Sequence, residues 1–486
     1  MSKVLVIGID GMDVIQVSKF EKYMPNFSRL KQNSPDIKLK SVFPPDSIPA
    51  WGSIYTGLNP AEHGVVNFVD PTNDEFKIKF QEVHKSYEGR TFWDIASKKG
   101  KKVCILLPYA IYPPWPVNGA MVCRSLDVVN EDFPLKTYPE ELFEEFNLNE
   151  INVNLFHGFP SKRNYPKFIE SCKKRTLQES ELGLRFLKNY DADLYFIYFS
   201  ALDAIQHTFW NYCDEKHPDY PGENSYQNVI RDFYILMDDI LGKFISLIDD
   251  DTRLIILSDH GHGMRPVNLV NINEILREKG YLKVNVKNST KINPFRQKET
   301  IKKILAQTIG VIGVGNLGLK FVEKFPIIKK GLSTPNYINF DETTAYLSAI
   351  SGLKSYSEGG ILINKNLQKS DYNKIIEQII KELSEVRHPE TGENLMEWIC
   401  KRENLYDGKY IFKYPDIIFK LTEGFGVGWN IHCPIQTPSS MSKFQSGSHL
   451  SDSAIFFTNV NLISSVSENI ETIIDINRII IDCLDN

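Results

Sequence analysis

The chain has no apolar run approaching the length of a bilayer span, which argues against a transmembrane helix. Its opening residues, MSKVLVIGID, lead straight into a β-branched run. They lack the charged segment, apolar core and small-residue cleavage site of a secretory leader. No CxxC pair occurs among the seven cysteines, Cys104, Cys123, Cys172, Cys213, Cys400, Cys433 and Cys483. Odd in number and scattered, they read as buried or free thiols in a reducing compartment, not as a disulfide framework. Charge of one sign is also scarce. A net charge of −5 on 486 residues offers nothing global that would attract nucleic acid. Internal repeats and low-complexity tracts are absent as well. These absences predict a cytoplasmic globular protein with no transmembrane segment and no nucleic-acid partner.

What is present is alternation. Strand-like runs at Lys3–Ile9, Lys102–Leu107, Leu194–Phe199 and Leu254–Leu257 are each followed by a loop and then by helical periodicity. That order predicts an α/β fold, a mostly parallel central sheet with helices on both faces. Pro415–Lys420 and Ala454–Thr458 read as further strands, and Asn469–Cys483 as a closing helix. Two segments depart from the pattern. Residues 127–162, rich in Pro, Asn, Phe and acids, are expected to form a lid excursion. Residues 283–330 carry eleven Lys and Arg against two Glu and are expected to form a basic insertion. It reads as a solvated surface, with guidance of an anionic substrate or contact with a membrane surface as the sharper alternative. The catalytic core would then comprise 1–282 and 331–486.

Chemistry-bearing side chains gather at the ends of these strands. Asp10 follows the first strand in VIGIDGMD, where Gly8 and Gly11 are expected to let the backbone turn. Asp259 and His260 follow another strand in LIILSDHGHG, with Gly261 and Gly263 expected to supply the turn that lets both side chains converge. Asp203 and His207 stand at i, i+4 in LDAIQHTFW, one face of a helix and within reach of one ion. His449 lies in the Gly-flanked GSHLSD. Each has a bland reading: an Asp after a strand is usually a turn former, an i, i+4 pair a surface pair, a lone His a satisfied polar residue. Four such pieces at the strand ends, where α/β sheets place their sites, outweigh the bland readings taken singly. Ser47, in SVFPPDSIPAWGSIYTGLNPAEHG, is a fifth piece. It serves either as a helix cap or as a nucleophile at a helix N-terminus, where backbone N–H groups favour phosphoryl oxygens.

In order, IDGMD, PPDSIPAWGSIYTGLNPAEHG, D-x-x-x-H, SDHG and a late G-x-H resemble the alkaline phosphatase superfamily, and within it the type I phosphodiesterase/nucleotide pyrophosphatase family. TFWDIASKKGKKV, YPPWPVNG, VNLVNINEILREKGYL and HPETGENL extend the resemblance over nearly the whole chain. The resemblance implies an alkaline-phosphatase-like fold and two divalent metal ions, zinc or alternatively manganese. Asp10, Ser47, Asp259 and His260 would bind one ion, and Asp203, His207 and His449 the other. It further implies hydrolysis of a small anionic phosphate ester, a phosphodiester or pyrophosphate ahead of a monoester, through a phosphoserine at Ser47. One departure stands out: the Asn that many family members carry three residues after the nucleophile, on a phosphoryl oxygen, is Ala50 here, followed by Trp51.

Competing readings are weaker. GVGNLG at Gly313–Gly318 matches a dinucleotide-binding pattern, but Pro326, Gly331 and Pro335 interrupt the unit that should follow. A sulfatase would need Arg where Trp51 stands. A phosphotransferase or phosphomutase would use the same site with an organic hydroxyl as acceptor. A non-catalytic metal-bound binding protein would be expected to have lost a ligand or the nucleophile, and all seven residues are present. Among the other histidines, His262 stands near enough to the site to support it.

Overall fold

The computed structural model describes residues 3–34, 37–66, 83–125, 135–152, 160–285, 338–350, 355–364, 369–459 and 470–485. Most of the basic segment (286–330), the Gly313–Gly318 motif, and two parts of the expected lid (127–134 and 153–159) lie outside the described residues.

Seventeen strands among the described residues, β1 to β17 in chain order, build four sheets. The central sheet comprises β1 (Val4–Ile9), β2 (Ile37–Leu39), β3 (Val103–Leu106), β4 (Gly119–Cys123), β5 (Lys136–Tyr138), β6 (Leu194–Phe199), β7 (Arg253–Leu257) and β17 (Ala454–Thr458), in the order β2-β17-β7-β1-β6-β3-β4-β5. The five strands from β7 to β4 run parallel, while β17 and β5 pair antiparallel at the flanks. Because both faces are covered, β1, β3 and β6 are buried at every residue and read as unbroken apolar runs. Alternate residues enter opposite cores. Leu5, Ile7, Ile197 and Phe199 face the helices Val14–Phe20, Pro25–Asn33, Tyr165–Asn189, Ala201–Cys213 and Val229–Ile245. Val4, Val6, Phe196 and Tyr198 face the helices Ser47–Thr56, Phe92–Lys98 and Ile476–Asp485. This is the α/β architecture expected from the alternation.

The strand expected at Pro415–Lys420 exists, as Ile417–Leu421, but lies in a different sheet. β10 (Ala345–Leu347), β11 (Glu358–Ile363), β12 (Met396–Lys401) and β13 (Ile417–Leu421) form an antiparallel sheet in the order β10-β11-β13-β12. Together with the helix Lys369–Ser384 it encloses a core of its own around Ile361, Ile379 and Phe419. Two smaller sheets connect these bodies. β9 (Asn268–Asn271) lies between β14 (Phe425–Gly428) and β15 (Gln436–Pro438), and β8 (Gly261–Met264) pairs with β16 (Gly447–Leu450). The closing helix begins at Ile476, after Thr472 and Asp475 form a capping box that organises a short 3₁₀ turn. Among the described residues, no helix is long and apolar enough to cross a membrane, and all seven cysteines are free thiols.

His63 closes the four-residue helix Pro60–His63 behind the Ser47–Thr56 helix. Its Nδ1 accepts from the Val65 N–H at 3.2 Å, which leaves the Nε2 proton to the Ser53 hydroxyl at 3.1 Å. Burial keeps this imidazole neutral and pushes its pKa from 6.5 down to about 3. Between those values the unfolded chain binds a proton that the folded chain does not. The stability from His63 is therefore complete above 6.5 and lost as pH falls toward about 3. Replacing His63 with Gln should reduce the slope of unfolding free energy against pH by about 1.4 kcal/mol per pH unit between about pH 4 and 6. Urea titrations of both proteins across that range measure it, and equal slopes would mean that the folded imidazole already carries its proton.

Candidate metal centre

β1 and β6 end together, and β7 ends one residue short of them. Ile9 pairs with Phe199 and Gly8 with Leu257, so Asp10, Ser200 and Ser258 are the first residues beyond the sheet. Asp10 N–H still donates to the Phe199 carbonyl at 2.9 Å, which fixes where its side chain starts. Only one of the two expected glycines makes the turn after β1. Gly11 has φ +65°, whereas Gly8 provides clearance, since a Cβ there would stand 2.6 Å from the Trp51 ring. After β7, Asp259 and His260 occupy the connection itself. Gly261 and Gly263, expected to make the turn, belong to β8 instead, and at Gly261 a side chain would collide with Ser453 and Asp13. The helix Ala201–Cys213, which follows β6, carries Asp203 and His207 one turn apart. His449 arrives from far along the chain because β16 pairs with β8. Ser47 is the first residue of its helix, and the cap is Asp46, whose carboxylate accepts from the Ile48 N–H. The capping role considered for Ser47 thus falls to its neighbour.

All seven residues singled out in the sequence meet in one cluster. Ser47 Oγ lies 3.2 Å from His260 Nε2, which lies 3.2 Å from Asp259 Oδ2 and 3.6 Å from Asp10 Oδ1. Asp203 Oδ1 is 3.4 Å from both His207 Nε2 and His449 Nε2, and those two nitrogens are 2.9 Å apart. The His260 and His449 rings stack at 3.7 Å and join the two halves. Donor atoms of Asp10, Asp259 and His260, and those of Asp203, His207 and His449, each fall within 4.8 Å of one another.

The hydrogen bonds around the cluster decide what it can hold. His260 Nδ1 faces the Gly261 carbonyl at 2.9 Å, His207 Nδ1 the Gly447 carbonyl at 2.9 Å, and His449 Nδ1 the Pro45 carbonyl at 2.6 Å. A carbonyl only accepts, so each Nδ1 carries the proton and each Nε2 turns a lone pair inward. Asp10 Oδ1, Asp203 Oδ1 and Asp259 Oδ2 face the same space, buried and without a hydrogen-bond partner. The Ser47 hydroxyl donates to His260 Nε2, but carboxylate oxygens left without a donor are costly to bury. A divalent cation in each half would satisfy them, and the mixed O and N donors suit such ions.

Titration behaviour follows from the same crowding. Burial, and then the neighbouring Asp259 and Asp203, push Asp10 well above the usual carboxylate range. Burial likewise pushes Asp259 well up, against the Gly11 N–H that donates to its Oδ1 at 3.1 Å. Burial would raise Asp203 too, but the imidazoles of His207, His262 and His449 outweigh it and make this the carboxylate that ionises first. Burial pushes His207 down to about 3 and His449 well below its ordinary range. Cations between these groups would favour ionised carboxylates and neutral imidazoles together.

Several side chains that the sequence did not single out hold the cluster in place. Trp51 Nε1 donates to Asp10 Oδ2 at 3.2 Å, and the Tyr198 hydroxyl donates to the same oxygen, which leaves Oδ1 to the cluster. Trp51 was findable, being one turn beyond Ser47 on the same helix. Asp13 caps the helix Val14–Phe20 with one carboxylate oxygen and accepts from His262 N–H and Ser453 with the other. The Phe43 peptide, just ahead of Ser47, is held from the second sheet: its N–H donates to the Tyr406 hydroxyl at 3.0 Å, and the Tyr414 hydroxyl donates to its carbonyl at 2.6 Å. No local spacing connects Phe43 to either tyrosine.

The sequence model of the type I phosphodiesterase / nucleotide pyrophosphatase family matches residues 4–427. Among solved structures, the chain is similar to phosphonoacetate hydrolase from Sinorhizobium meliloti 1021 in complex with phosphonoformate, at 12% identity and a TM-score of 0.54, over 99% of this chain and 96% of that one. The same hydrolase in complex with phosphonoacetate matches at 11% identity and a TM-score of 0.53, with the same coverage. At these identities the likeness is one of fold. Murine ectonucleotide pyrophosphatase / phosphodiesterase 5 matches at 15% identity, over 100% of this chain and 95% of that one, with a TM-score of 0.49.

Tyr414 offers a test of how the second sheet supports the Phe43 segment. Tyr414→Phe removes the donor to a carbonyl in a buried setting and should lower stability by about 1–3 kcal/mol. Urea unfolding of the two proteins measures the difference. A change well under about 1 kcal/mol would mean that water takes over the carbonyl.

Proposed function

Because the chain belongs to the type I phosphodiesterase / nucleotide pyrophosphatase family, and so is a metal-dependent phosphoric ester hydrolase, we propose that Ser47 is its nucleophile, forming a phosphoserine intermediate on a phosphodiester or pyrophosphate substrate. The observation that carries this reading is the position of the Ser47 hydroxyl, 3.2 Å from Nε2 of His260, the imidazole grouped with the partnerless oxygens of Asp10 and Asp259. Asp10, Ser47, Asp259 and His260 would hold one ion, and Asp203, His207 and His449 the second. Divalent cations there would favour the ionised Ser47 hydroxyl and offset charge on the attacking and leaving oxygens; zinc suits the donors, with manganese as the alternative.

The chain's own residues set the geometry of the reaction. Ser47 Oγ attacks phosphorus from the first position of a ten-residue helix, whose N-terminal dipole favours the phosphoryl oxygens. The bond from phosphorus to the leaving oxygen breaks, and the phosphoryl group rests on Ser47. Water then attacks phosphorus, the bond to Ser47 Oγ breaks, and the serine regains its proton. Trp51 and Tyr198 hold Asp10 through one oxygen throughout. Ala50 stands three residues after Ser47, where the resemblance implies an Asn on a phosphoryl oxygen, so this position gives that oxygen no side-chain donor.

Ser47→Ala should leave the fold and the metal content largely intact, because Asp10, Asp259 and His260 remain to hold the ion, while removing most turnover of bis(p-nitrophenyl) phosphate. Near-wild-type hydrolysis by that variant would end the phosphoserine reading. Wild-type enzyme should prefer this diester over p-nitrophenyl phosphate in kcat/KM, and the opposite preference would overturn the substrate class.

Chelation should abolish turnover, and added zinc or manganese should restore it. Asp203→Ala should lose about one ion per chain by elemental analysis, since it empties one half of the cluster. Two ions retained in that variant would show the ligand assignment to be wrong.

A further inference from the structure

His262 is the one imidazole in the cluster that commits no ring nitrogen to a backbone carbonyl. His207, His260 and His449 each commit Nδ1 to a carbonyl, whereas both nitrogens of His262 are buried without a partner, and its side chain is 0% exposed. Its placement follows from the β8/β16 ribbon. His262 and His449 are directly opposed across the pairing, and residues so opposed project their side chains to the same side. The backbone is held at this point, because His262 N–H donates to Asp13 Oδ2 at 3.2 Å. Space is held for the ring as well: a Cβ on Gly447 would stand 2.7 Å from His262 Nε2. The Trp210 ring stacks over the imidazole at 5.7 Å and limits its freedom to turn away.

The ring points at Asp203. His262 Nδ1 lies 3.4 Å from Asp203 Oδ1, the same distance as His207 Nε2 and His449 Nε2. Atoms bound to one ion at about 2.0–2.2 Å stand roughly 3–4 Å apart, so this separation is that of ligands sharing an ion. Asp203, His260 and His262 form a third group whose donor atoms lie within 4.8 Å of one another, and it shares one residue with each of the other two groups.

We infer that His262 is a metal ligand of this protein, binding through Nδ1 the ion that Asp203 holds. The inference rests on the metal reading above and adds a donor to it. Ligation through Nδ1 leaves the proton on Nε2. The added imidazole gives the Asp203 half of the cluster three imidazoles with His207 and His449, against one in the Asp10 half. Imidazole donors favour zinc over magnesium or manganese, so His262 biases the Asp203 half toward zinc.

Cobalt(II) replacing the native ions tests this without reference to turnover. Each ligating imidazole that retains a ring N–H gives one hyperfine-shifted, solvent-exchangeable proton resonance. The wild-type protein loaded with cobalt(II) should show four such resonances, from His207, His260, His262 and His449, and His262→Gln should lose one of them. Zinc affinity of the Asp203 half should fall at least tenfold in that variant, measured by competition with a chromophoric chelator. Three resonances in wild type, unchanged by the substitution, would overturn the role of His262 and leave the other three ligands standing. The absence of any shifted imidazole resonance would instead overturn the metal reading itself. The wild-type count stands even if the variant does not fold.

Discussion

Three buried carboxylate oxygens and three imidazole lone pairs face one small space, and the Ser47 hydroxyl, which reaches His260 Nε2, leaves the three carboxylate oxygens unsatisfied. Mutual repulsion and burial make such an arrangement unfavourable by itself, and the chain tolerates it because surrounding structure holds each member from behind. Asp10 is tethered through its other oxygen by Trp51 and Tyr198, Asp259 by Gly11 N–H, and the three imidazoles by backbone carbonyls. These outer contacts fix orientation and tautomer before any ligand arrives. That is the preorganisation a reactive site needs, since groups already in place need not reorganise during the reaction.

The aromatic packing under the Ser47 helix gives that preorganisation its rigidity. All ten residues of the helix are buried. Trp51 meets Tyr198 edge-on at 5.2 Å, and Tyr55 meets Trp93 at 4.9 Å and Phe196 at 5.8 Å. Such contacts lock large side chains at little conformational cost and tie the helix to β6. Tyr198 takes part in both systems, with its ring in the aromatic core and its hydroxyl on Asp10. A single side chain thus transmits the position of the core to the site.

The second sheet extends the support to the other side of Ser47. Tyr406 and Tyr414 hold the Phe43 peptide, and Lys413 reaches the Gly64 carbonyl. His449 links the two kinds of support, since one ring nitrogen faces Asp203 while the other holds the Pro45 carbonyl in the segment leading to Ser47. The Ser47 segment is therefore located by the parallel core, by the β8/β16 ribbon and by the antiparallel sheet at once. Movement of any one of them would be felt at Ser47.

The sequence by itself determined the class of fold and singled out seven residues that meet in the cluster. Unbroken apolar runs such as Leu194–Phe199 encode a strand buried on both faces, and Asp10, Asp203 with His207, Asp259 and His260 each stand within a few residues of such a run. Short-range spacing carries that information because strand ends and helix turns have fixed geometry. It did not carry which sheet a strand joins. IIFKL at Ile417–Leu421 has the composition of a core strand, yet it pairs antiparallel in the second sheet, because pairing is settled by long-range partners. Nor did it reveal what Gly8 and Gly261 are for, since close approach by Trp51 or Ser453 leaves no local trace. Only the tertiary structure brought His262 opposite His449, and Tyr406 and Tyr414 onto Phe43, each across a large separation in sequence. Such contacts depend on how whole elements pack, and no local pattern of residue types encodes that packing.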